Sequence, residues 1–479
     1  MRINDLGLIG MGLVALAVGL VTDDWLAGVS ALTLMICLQL VWTGDGLFVL
    51  PAAIAFHWMQ GSLGVMYFGF TGRRLATIEL SDYRPMVLIA LGCCLSLSAG
   101  IRLGLWCKKA PDPNKPRPGF AFSFGLLITA YVITVVLEGG FSTLVADYPS
   151  FRAALTTFDS ARLGVLFLIL RRLCIPPPRF GLLGLVVAIE IVLGLTGFFA
   201  GFREPIVLAV LAVLEIFDRK KIAHWMSLAV AAVAIVSLGV LWMGIRSDVR
   251  SQSVEVDQFS GSRSARANRV GDLASNFARN DAGKVWNTLD DTVDRMWTVY
   301  YPALAIVRVP KVLPHTDGAM LSAALIHVVT PRVFFPDKGE LPSDSDKVRK
   351  YTGLFVAGRE VNTSIAFGYS AEAFIDYGLP LMFVPVFVFG VFVGFCYTFF
   401  RSVIWHRELF VSFATVSFWL SLYLFERSWA TMLGVTMGFM VYLGVPMIVL
   451  DRFLLVRFAA QQSSGEPELH FTNAREHRA

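Results

Sequence analysis

Charged residues are scarce in this chain of 479 residues: Asp, Glu, Lys and Arg make up 16% of it, whereas 56% is hydrophobic. A soluble domain usually carries about 25% charged residues. This shortage, together with 38 Phe and 11 Trp, excludes an ordinary cytosolic enzyme, a disordered chain and a nucleic-acid-binding protein. The net charge of +5 is small for this length, so the composition indicates a polytopic membrane protein.

Cysteine is also scarce, and the six cysteines are not spaced like zinc ligands. No cluster of His or carboxylate residues has the spacing of metal ligands either. All six cysteines lie within apolar runs or beside basic loops, at Cys37, Cys93, Cys94, Cys107, Cys174 and Cys396. We therefore expect neither a disulfide framework nor a metal site, and the sequence implies no cofactor.

A cleavage site is missing after the first apolar run, which ends in Val21-Thr22-Asp23-Asp24 and is followed by a second run from Trp25. A secretory signal peptide would end in small residues, so this run is predicted to be a retained helix. An internal repeat is missing too, which argues against transporters that are built from repeats.

The apolar runs predict an all-α membrane protein with about twelve transmembrane helices, since a bilayer core of about 30 Å needs roughly 20 apolar residues per span. Two of the runs, 161–175 and 205–217, are short for a span. The candidate spans are 6–22, 25–43, 47–70, 84–106, 119–138, 161–175, 180–200, 205–217, 223–243, 378–400, 408–425 and 431–450.

Lys and Arg gather in short loops that twelve spans place on one side of the membrane. Cytoplasmic loops carry this excess, so both termini are predicted to be cytoplasmic. The basic residues of these loops are Lys108, Lys109, Lys115, Arg117, Arg171, Arg172, Arg179, Arg219, Lys220, Lys221, Arg401 and Arg407.

The predicted division of the chain follows this topology. Residues 1–243 form the N-terminal transmembrane helices, 244–377 a large outer loop, 378–450 the C-terminal transmembrane helices and 451–479 a cytoplasmic tail. Within the loop, residues 284–307 have helical apolar spacing and are predicted to lie along the membrane interface. Residues 319–335 are apolar but interrupted by Pro331, which predicts a partial or re-entrant element.

Several arginines fall on the outer side, against the usual charge bias. Arg203 lies in a tight turn between spans, Arg246 follows the ninth predicted span, and Arg427 lies in the turn Phe-Glu-Arg-Ser-Trp. They extend to lipid headgroups, pair with Glu204 and Glu426, or together form an anion site. We favour an anion site, because the guanidinium group offers planar, bidentate donors to phosphate.

A second group of basic residues follows in the outer loop. Two prolines frame a loop that carries Arg332 and Lys338, and Arg359 comes shortly afterwards. Glu372 and Asp376 are four residues apart, hence on one face of any helix, at the predicted membrane boundary. The alternative is a solvated loop followed by a helix cap.

These residues resemble a known family. The turn with Arg203, the large late loop and the pattern Pro-Arg-(x)3-Pro-x-Lys, followed by Asn-Thr-Ser…Gly…Glu-(x)4-Tyr-Gly, are similar to Wzy-type polymerases of O-antigen and exopolysaccharide repeat units. The motif-level similarity extends from about Arg203 to Pro380. The resemblance implies a location in the bacterial inner membrane and an undecaprenyl-pyrophosphate-linked oligosaccharide as substrate. A chain-length-regulating co-polymerase is an open partner, whereas nucleic acid is not expected.

The chemistry of such a reaction suits the residues. Displacing pyrophosphate from an anomeric carbon develops negative charge, which held cations stabilise, and a base must take a proton from the incoming hydroxyl. The candidate bases are Glu372, His327 and Asp376. For His327 the alternative is a buried or interfacial histidine without a catalytic role.

Other functions stay open. An O-antigen ligase or another lipid-linked glycosyltransferase would share the arginines but use a different acceptor. A flippase for lipid-linked oligosaccharides would line its path with charged groups in mid-span, where this sequence has few besides Glu190. A scaffold membrane protein is the remaining alternative.

Overall fold

The computed structural model is helical throughout the residues that it describes, and it contains no β-strand among them. These residues are 5–107, 122–148, 151–175, 177–195, 203–217, 282–332, 334–335, 337–361 and 363–464, together with isolated positions between 222 and 239. The all-α prediction is confirmed over this part of the chain.

Within the part of the chain that the structure describes, five helices are long and apolar enough to cross a membrane, which makes this a membrane protein. Shorter apolar helices coincide with other predicted spans, but the total of twelve stays a prediction. The five helices are Val49–Thr71, Tyr83–Trp106, Ala153–Cys174, Phe383–Val403 and Trp429–Val456.

The helices group into two compact units, one of residues 1–165 and 297–479 and the other of residues 166–296. The predicted division at residues 243, 377 and 450 concerns membrane topology and stays a prediction. Helices of the N-terminal part are α1 (Asp5–Thr22), α2 (Trp25–Leu40), α3 (Val49–Thr71), α4 (Ala76–Leu80), α5 (Tyr83–Trp106), α6 (Phe124–Asp147), α7 (Arg152–Asp159), α8 (Ala161–Cys174), α9 (Phe180–Leu195) and α10 (Arg203–Glu215). Those of the C-terminal part are α11 (Ala282–Met296), α12 (Tyr300–Arg308), α13 (Ala319–Val329), α14 (Asp344–Thr352), α15 (Gly368–Tyr377), α16 (Phe383–Val403), α17 (Arg407–Leu422), α18 (Trp429–Gly438) and α19 (Gly444–Ser464).

Helices α5 and α16 pack backbone to backbone through glycines spaced four apart on each helix. A Cβ atom on Gly100 would lie 2.1 Å from the carbonyl oxygen of Phe387, and one on Gly394 would lie 2.2 Å from that of Ile101. Small residues allow this close approach where apolar lipid gives helices no hydrophobic reason to associate. The glycines therefore hold α5 and α16 in direct backbone contact.

The loop between α2 and α3 is bound by α16. The hydroxyl of Tyr397 donates to Asp45 at 2.7 Å, and the guanidinium of Arg401 pairs with the same carboxylate at 3.1 Å. Nearby, Asp451 of α19 accepts the backbone N–H of His406 at 2.8 Å. We call this region the Asp45 end.

Trp297 docks the later loop segment onto α3, far from the Asp45 end. It is 1% exposed, and its indole N–H donates to the carbonyl of Gly61 at 3.0 Å. A Cβ on Gly64 would overlap its ring at 1.9 Å, so the glycine is required for this contact. The helix predicted over 284–307 is divided into Ala282–Met296 and Tyr300–Arg308, because the chain leaves the helix at Trp297 to bury this side chain, whereas its location along the membrane interface stays a prediction.

Candidate functional site

The first of two cavities lies beside α13, and we call it the apolar cavity. The helix ends before Pro331, and the backbone N–H groups of Phe334 and Phe335 then donate to the Pro331 carbonyl, each at 3.0 Å, which turns the chain back along the helix. The cavity has a volume of about 700 Å³. Its lining residues are Ala323, Ile326, His327, Thr330, Phe334, Phe335, Asp337, Lys338, Gly339 and Leu341.

Lys338 closes the end of α13 at this cavity. Its ammonium donates to the carbonyls of His327 at 2.5 Å and Thr330 at 2.8 Å. Cations are favourable at helix C-termini, where carbonyl groups lack partners within the helix. An ammonium group has three N–H donors, so these two bonds leave it a third.

Positive charge dominates the electrostatics around Lys338. Burial and then the neighbouring charge of Arg332 lower the pKa of Lys338. Burial, followed by the charges of Lys338 and Arg332, lowers the pKa of His327. The imidazole is therefore neutral at neutral pH and able to accept a proton, while Asp337 brings one exposed carboxylate to the same cavity.

The second cavity adjoins the first, and we call it the polar cavity. Leu341 lines both of them. The polar cavity has a volume of about 260 Å³ and is lined mainly by hydroxyl and charged side chains. Its lining residues are Leu341, Pro342, Ser343, Asp344, Lys347, Arg359, Thr363, Ser364, Ser428, Ala430 and Thr431.

A chain of polar contacts connects three elements beneath the polar cavity. The ammonium of Lys347 lies 2.6 Å from Glu372 and 3.3 Å from Asp344. Glu372 also accepts the backbone N–H of Trp429 at 2.6 Å, and the hydroxyl of Ser428 donates to Asp344 at 3.2 Å. Helix α14, helix α15 and the start of α18 are thereby held together.

The ionisation of this ion pair is set by burial and by opposite charge. Burial alone would lower the pKa of Lys347, but the carboxylates of Glu372 and Asp344 outweigh it and raise that pKa. Burial is the largest influence on Glu372 and raises its pKa, whereas the Lys347 ammonium and the Trp429 N–H act in the opposite direction. Lys347 therefore keeps its proton at neutral pH.

Of the three candidate bases, only His327 is among the residues that line these two cavities. Glu372 and Asp376 are 1% and 0% exposed. Asp376 accepts the backbone N–H groups of Met320 and Leu321 at 3.0 and 2.9 Å, and so caps α13. The cap residue of that helix, Gly318, has no side chain to do so.

The predicted basic residues divide among different surroundings. Arg332 and Arg359 both approach Glu340, at 3.8 and 2.8 Å. The guanidinium of Arg427 contacts the Leu420 carbonyl, and its backbone carbonyl accepts the N–H of Tyr369 at 2.6 Å.

The remaining two arginines, Arg203 and Arg246, have no described position relative to Arg332, Arg359 and Arg427. Arg203 begins α10 in the other compact unit, and Arg246 lies outside the described residues. The convergence of Arg203 with Arg332 and Arg427 on one cavity stays a prediction.

Lys347, Asp344 and Ser428 were missed by the sequence analysis. The signal that was available is Ser343-Asp-Ser-Asp346, a helix-start pattern: Ser343 accepts the N–H of Asp346 at 3.1 Å. That pattern locates α14 but does not indicate its contact with α15 or with the turn before α18. Among the described residues, no three His, Cys, Asp or Glu side chains cluster as metal ligands.

A comparison with known protein families gives one match. The model of a family described as a domain of unknown function, DUF8712, matches residues 124–399. This range contains α13, α14 and α15, but not the turn with Ser428. No curated protein and no solved structure matches the chain.

Proposed function

The chain belongs to the DUF8712 family, and we propose that it is a membrane-embedded glycosyltransferase. It polymerises undecaprenyl-pyrophosphate-linked oligosaccharide repeat units at the periplasmic face of the bacterial inner membrane. The observation that carries the proposal is the adjacency of the apolar and polar cavities through Leu341. A lipid-linked sugar has the same order of parts: an apolar tail, an anionic phosphate group and a hydroxyl-rich glycan.

The phosphate groups bind at the polar edge of the apolar cavity. Lys338 has a donor left after its two carbonyl contacts. Arg332 adds a second charge beside it, since Glu340 lies 3.8 Å from Arg332 and is bound more closely by Arg359, at 2.8 Å. Burial and the charge of Arg332 lower the pKa of Lys338, so an anion bound beside Lys338 would offset this repulsion between like charges. Phe334 and Phe335 supply apolar surface for the lipid next to them.

The reaction is a displacement at the anomeric carbon. The acceptor hydroxyl oxygen forms a bond to this carbon while the bond from the carbon to the pyrophosphate oxygen breaks. The electron pair leaves with the lipid pyrophosphate, where Lys338 and Arg332 stabilise the developing charge. The hydroxyl proton goes to His327, whose imidazole is neutral at neutral pH.

Reconstitution tests this reaction. Purified protein in nanodiscs is incubated with undecaprenyl-pyrophosphate-linked repeat units, and a ladder of longer glycans is expected. The variants His327→Asn and Lys338→Met should lose the ladder, whereas the exposed Lys350→Met should keep it. Transfer of a single unit to a lipid A core acceptor would indicate a ligase instead, and transport without elongation would indicate a flippase.

The orientation of the protein in the membrane is tested with thiol labelling. Cys107 is the one exposed native cysteine, since the other five are buried, so background labelling is confined to one position. Cys107 terminates α5 at the predicted cytoplasmic side. A cysteine introduced by Ser364→Cys should react with an impermeant reagent in intact spheroplasts, and Cys107 only after lysis. Labelling in the opposite order would contradict the periplasmic location of both cavities.

A further inference from the structure

The geometry points to the polar cavity as a subsite for one uncharged sugar ring. This inference rests on the proposed function and adds the class of sugar to it. It is carried by the hydroxyl groups, the charge balance and the size of the cavity.

Hydroxyl groups form one wall of the polar cavity. Thr363, Ser364, Ser428 and Thr431 line it, and each hydroxyl is both a donor and an acceptor. Ser428 lies 3.2 Å from Asp344 and 3.2 Å from the hydroxyl of Thr431. This set matches the alternating donors and acceptors around a sugar ring.

The charges of the polar cavity leave no excess for an anion. Lys347 is bound by two carboxylates, those of Glu372 and Asp344, and Arg359 is paired with Glu340 at 2.8 Å. An acidic sugar would bring its carboxylate towards Asp344 without gaining an unpaired cation. Like charges brought together across a binding site discriminate against such a ligand.

The volume suits a single ring. Pockets for drug-sized ligands have about 300–1,000 Å³, and the polar cavity, at about 260 Å³, lies just below that range. The larger apolar cavity begins at Leu341, so a sugar held here lies next to the phosphate site. The polar cavity thus selects the sugar, and the apolar cavity holds the carrier.

Saturation-transfer NMR on the full chain in nanodiscs tests this assignment with pairs of probes that differ only at C6, which is a hydroxymethyl group in one and a carboxylate in the other. The pairs are methyl glucoside with methyl glucuronide, and methyl galactoside with methyl galacturonide. We expect at least one neutral glycoside to receive saturation, and its acidic counterpart to receive about tenfold less. Asp344→Asn should raise the signal of the acidic sugar.

Two matched variants show where the sugar binds. The double variant Thr363→Val/Ser364→Ala should lose the neutral signal, whereas Ser322→Ala, an exposed serine on α13, should keep it. Equal or stronger signals from the acidic sugars would overturn the assignment. So would an unchanged neutral signal in the double variant, or no signal from either neutral glycoside.

The test also separates this inference from the proposed function. Lys338→Met removes the phosphate-binding cation but no group of the polar cavity, so it should leave the neutral glycoside signal unchanged. A glycoside signal without a glycan ladder would disprove the polymerase and keep the sugar subsite. A glycan ladder without discrimination between neutral and acidic glycosides would support the polymerase and disprove the neutral-sugar subsite.

Discussion

Lys338 and Lys347 lie nine residues apart, one at each cavity, and their surroundings are opposite. Lys338 donates to two carbonyl oxygens, and burial followed by the neighbouring charge of Arg332 lowers its pKa. Lys347 lies between two carboxylates, so its pKa is raised. Because no carboxylate contacts Lys338 among the described residues, we expect Lys338, and not Lys347, to be available to an outside anion.

The largest expected effect comes from disrupting the close contact between α5 and α16. Gly100→Leu would place a side chain against the backbone of α16, which begins six residues after α15 ends. Overpacking costs typically about 1–3 kcal/mol and occasionally more, and the carbonyl oxygen 2.1 Å from this Cβ position puts the variant at the upper end. Thermal unfolding in detergent should show a large loss, together with loss of binding at both cavities.

Gly125→Leu is the matched control for this variant. Its Cβ meets no atom within 4 Å, and in a helix leucine is favoured over glycine by up to about 1 kcal/mol. It should unfold at or above the temperature of the unmodified protein. Intact binding in Gly100→Leu would show that the cavities do not depend on the α5–α16 contact.

The next largest effect is on the stability of the fold, which should depend on the ion pair of Lys347 and not on Lys338. The side chains of Lys347 and Glu372 are 14% and 2% exposed. Removing one partner of a buried pair costs about 3–5 kcal/mol. Glu372→Leu should therefore destabilise the protein strongly. Adding Lys347→Met should recover much of the loss, because no buried ammonium then lacks Glu372, while Asp344 keeps its hydrogen bond from Ser428.

A denaturation series of the single and double variants measures this coupling. Lys338→Met serves as the comparison, since its ammonium has no carboxylate partner among the described contacts. If the double variant were as unstable as the sum of the two single variants, Glu372 and Lys347 would not act as a pair.

Positions of long apolar helices were predictable, whereas contacts between distant segments were not. Helix α5 (Tyr83–Trp106) matches the predicted span 84–106, because the thickness of a bilayer fixes the length of an apolar run. Trp297 had the spacing of an interfacial side chain. Its burial depends on Gly64, more than 200 residues away, and the local pattern holds no trace of that contact.

The candidate site shows the same limit. Glu372 and Asp376 were correctly placed on one helix, four residues apart, but their partners come from α14, α13 and the start of α18. Residue type alone suggested a base in both cases. Only the tertiary contacts show that these carboxylate oxygens already accept hydrogen bonds from the protein.

A smaller effect concerns affinity for the lipid carrier. A hydrogen bond to a charged group contributes about 1.5–3 kcal/mol, so Lys338→Met should weaken binding of undecaprenyl pyrophosphate by roughly 10- to 100-fold. Lys347→Met should change it little, because that charge is already neutralised. Native mass spectrometry with added undecaprenyl pyrophosphate measures both, and equal losses would contradict the assigned difference between the lysines.

The smallest effect is a difference in pH dependence, which follows from the two opposite pKa shifts. A lysine has an ordinary pKa of about 10.4. Because the pKa of Lys338 is lowered, this lysine loses its proton as the pH rises towards the ordinary value. Affinity for undecaprenyl pyrophosphate should therefore fall before the Lys347 ion pair is affected. The raised pKa of Lys347 means that its ion pair stabilises the fold below the ordinary value, and that this contribution is lost only as the pH passes the raised value. Binding should therefore weaken by several-fold at a pH where the unfolding temperature is still unchanged.

Lys338→Arg should abolish the early loss of binding, because arginine stays protonated throughout this range. Parallel loss of binding and stability in both proteins would show that the two lysines titrate alike.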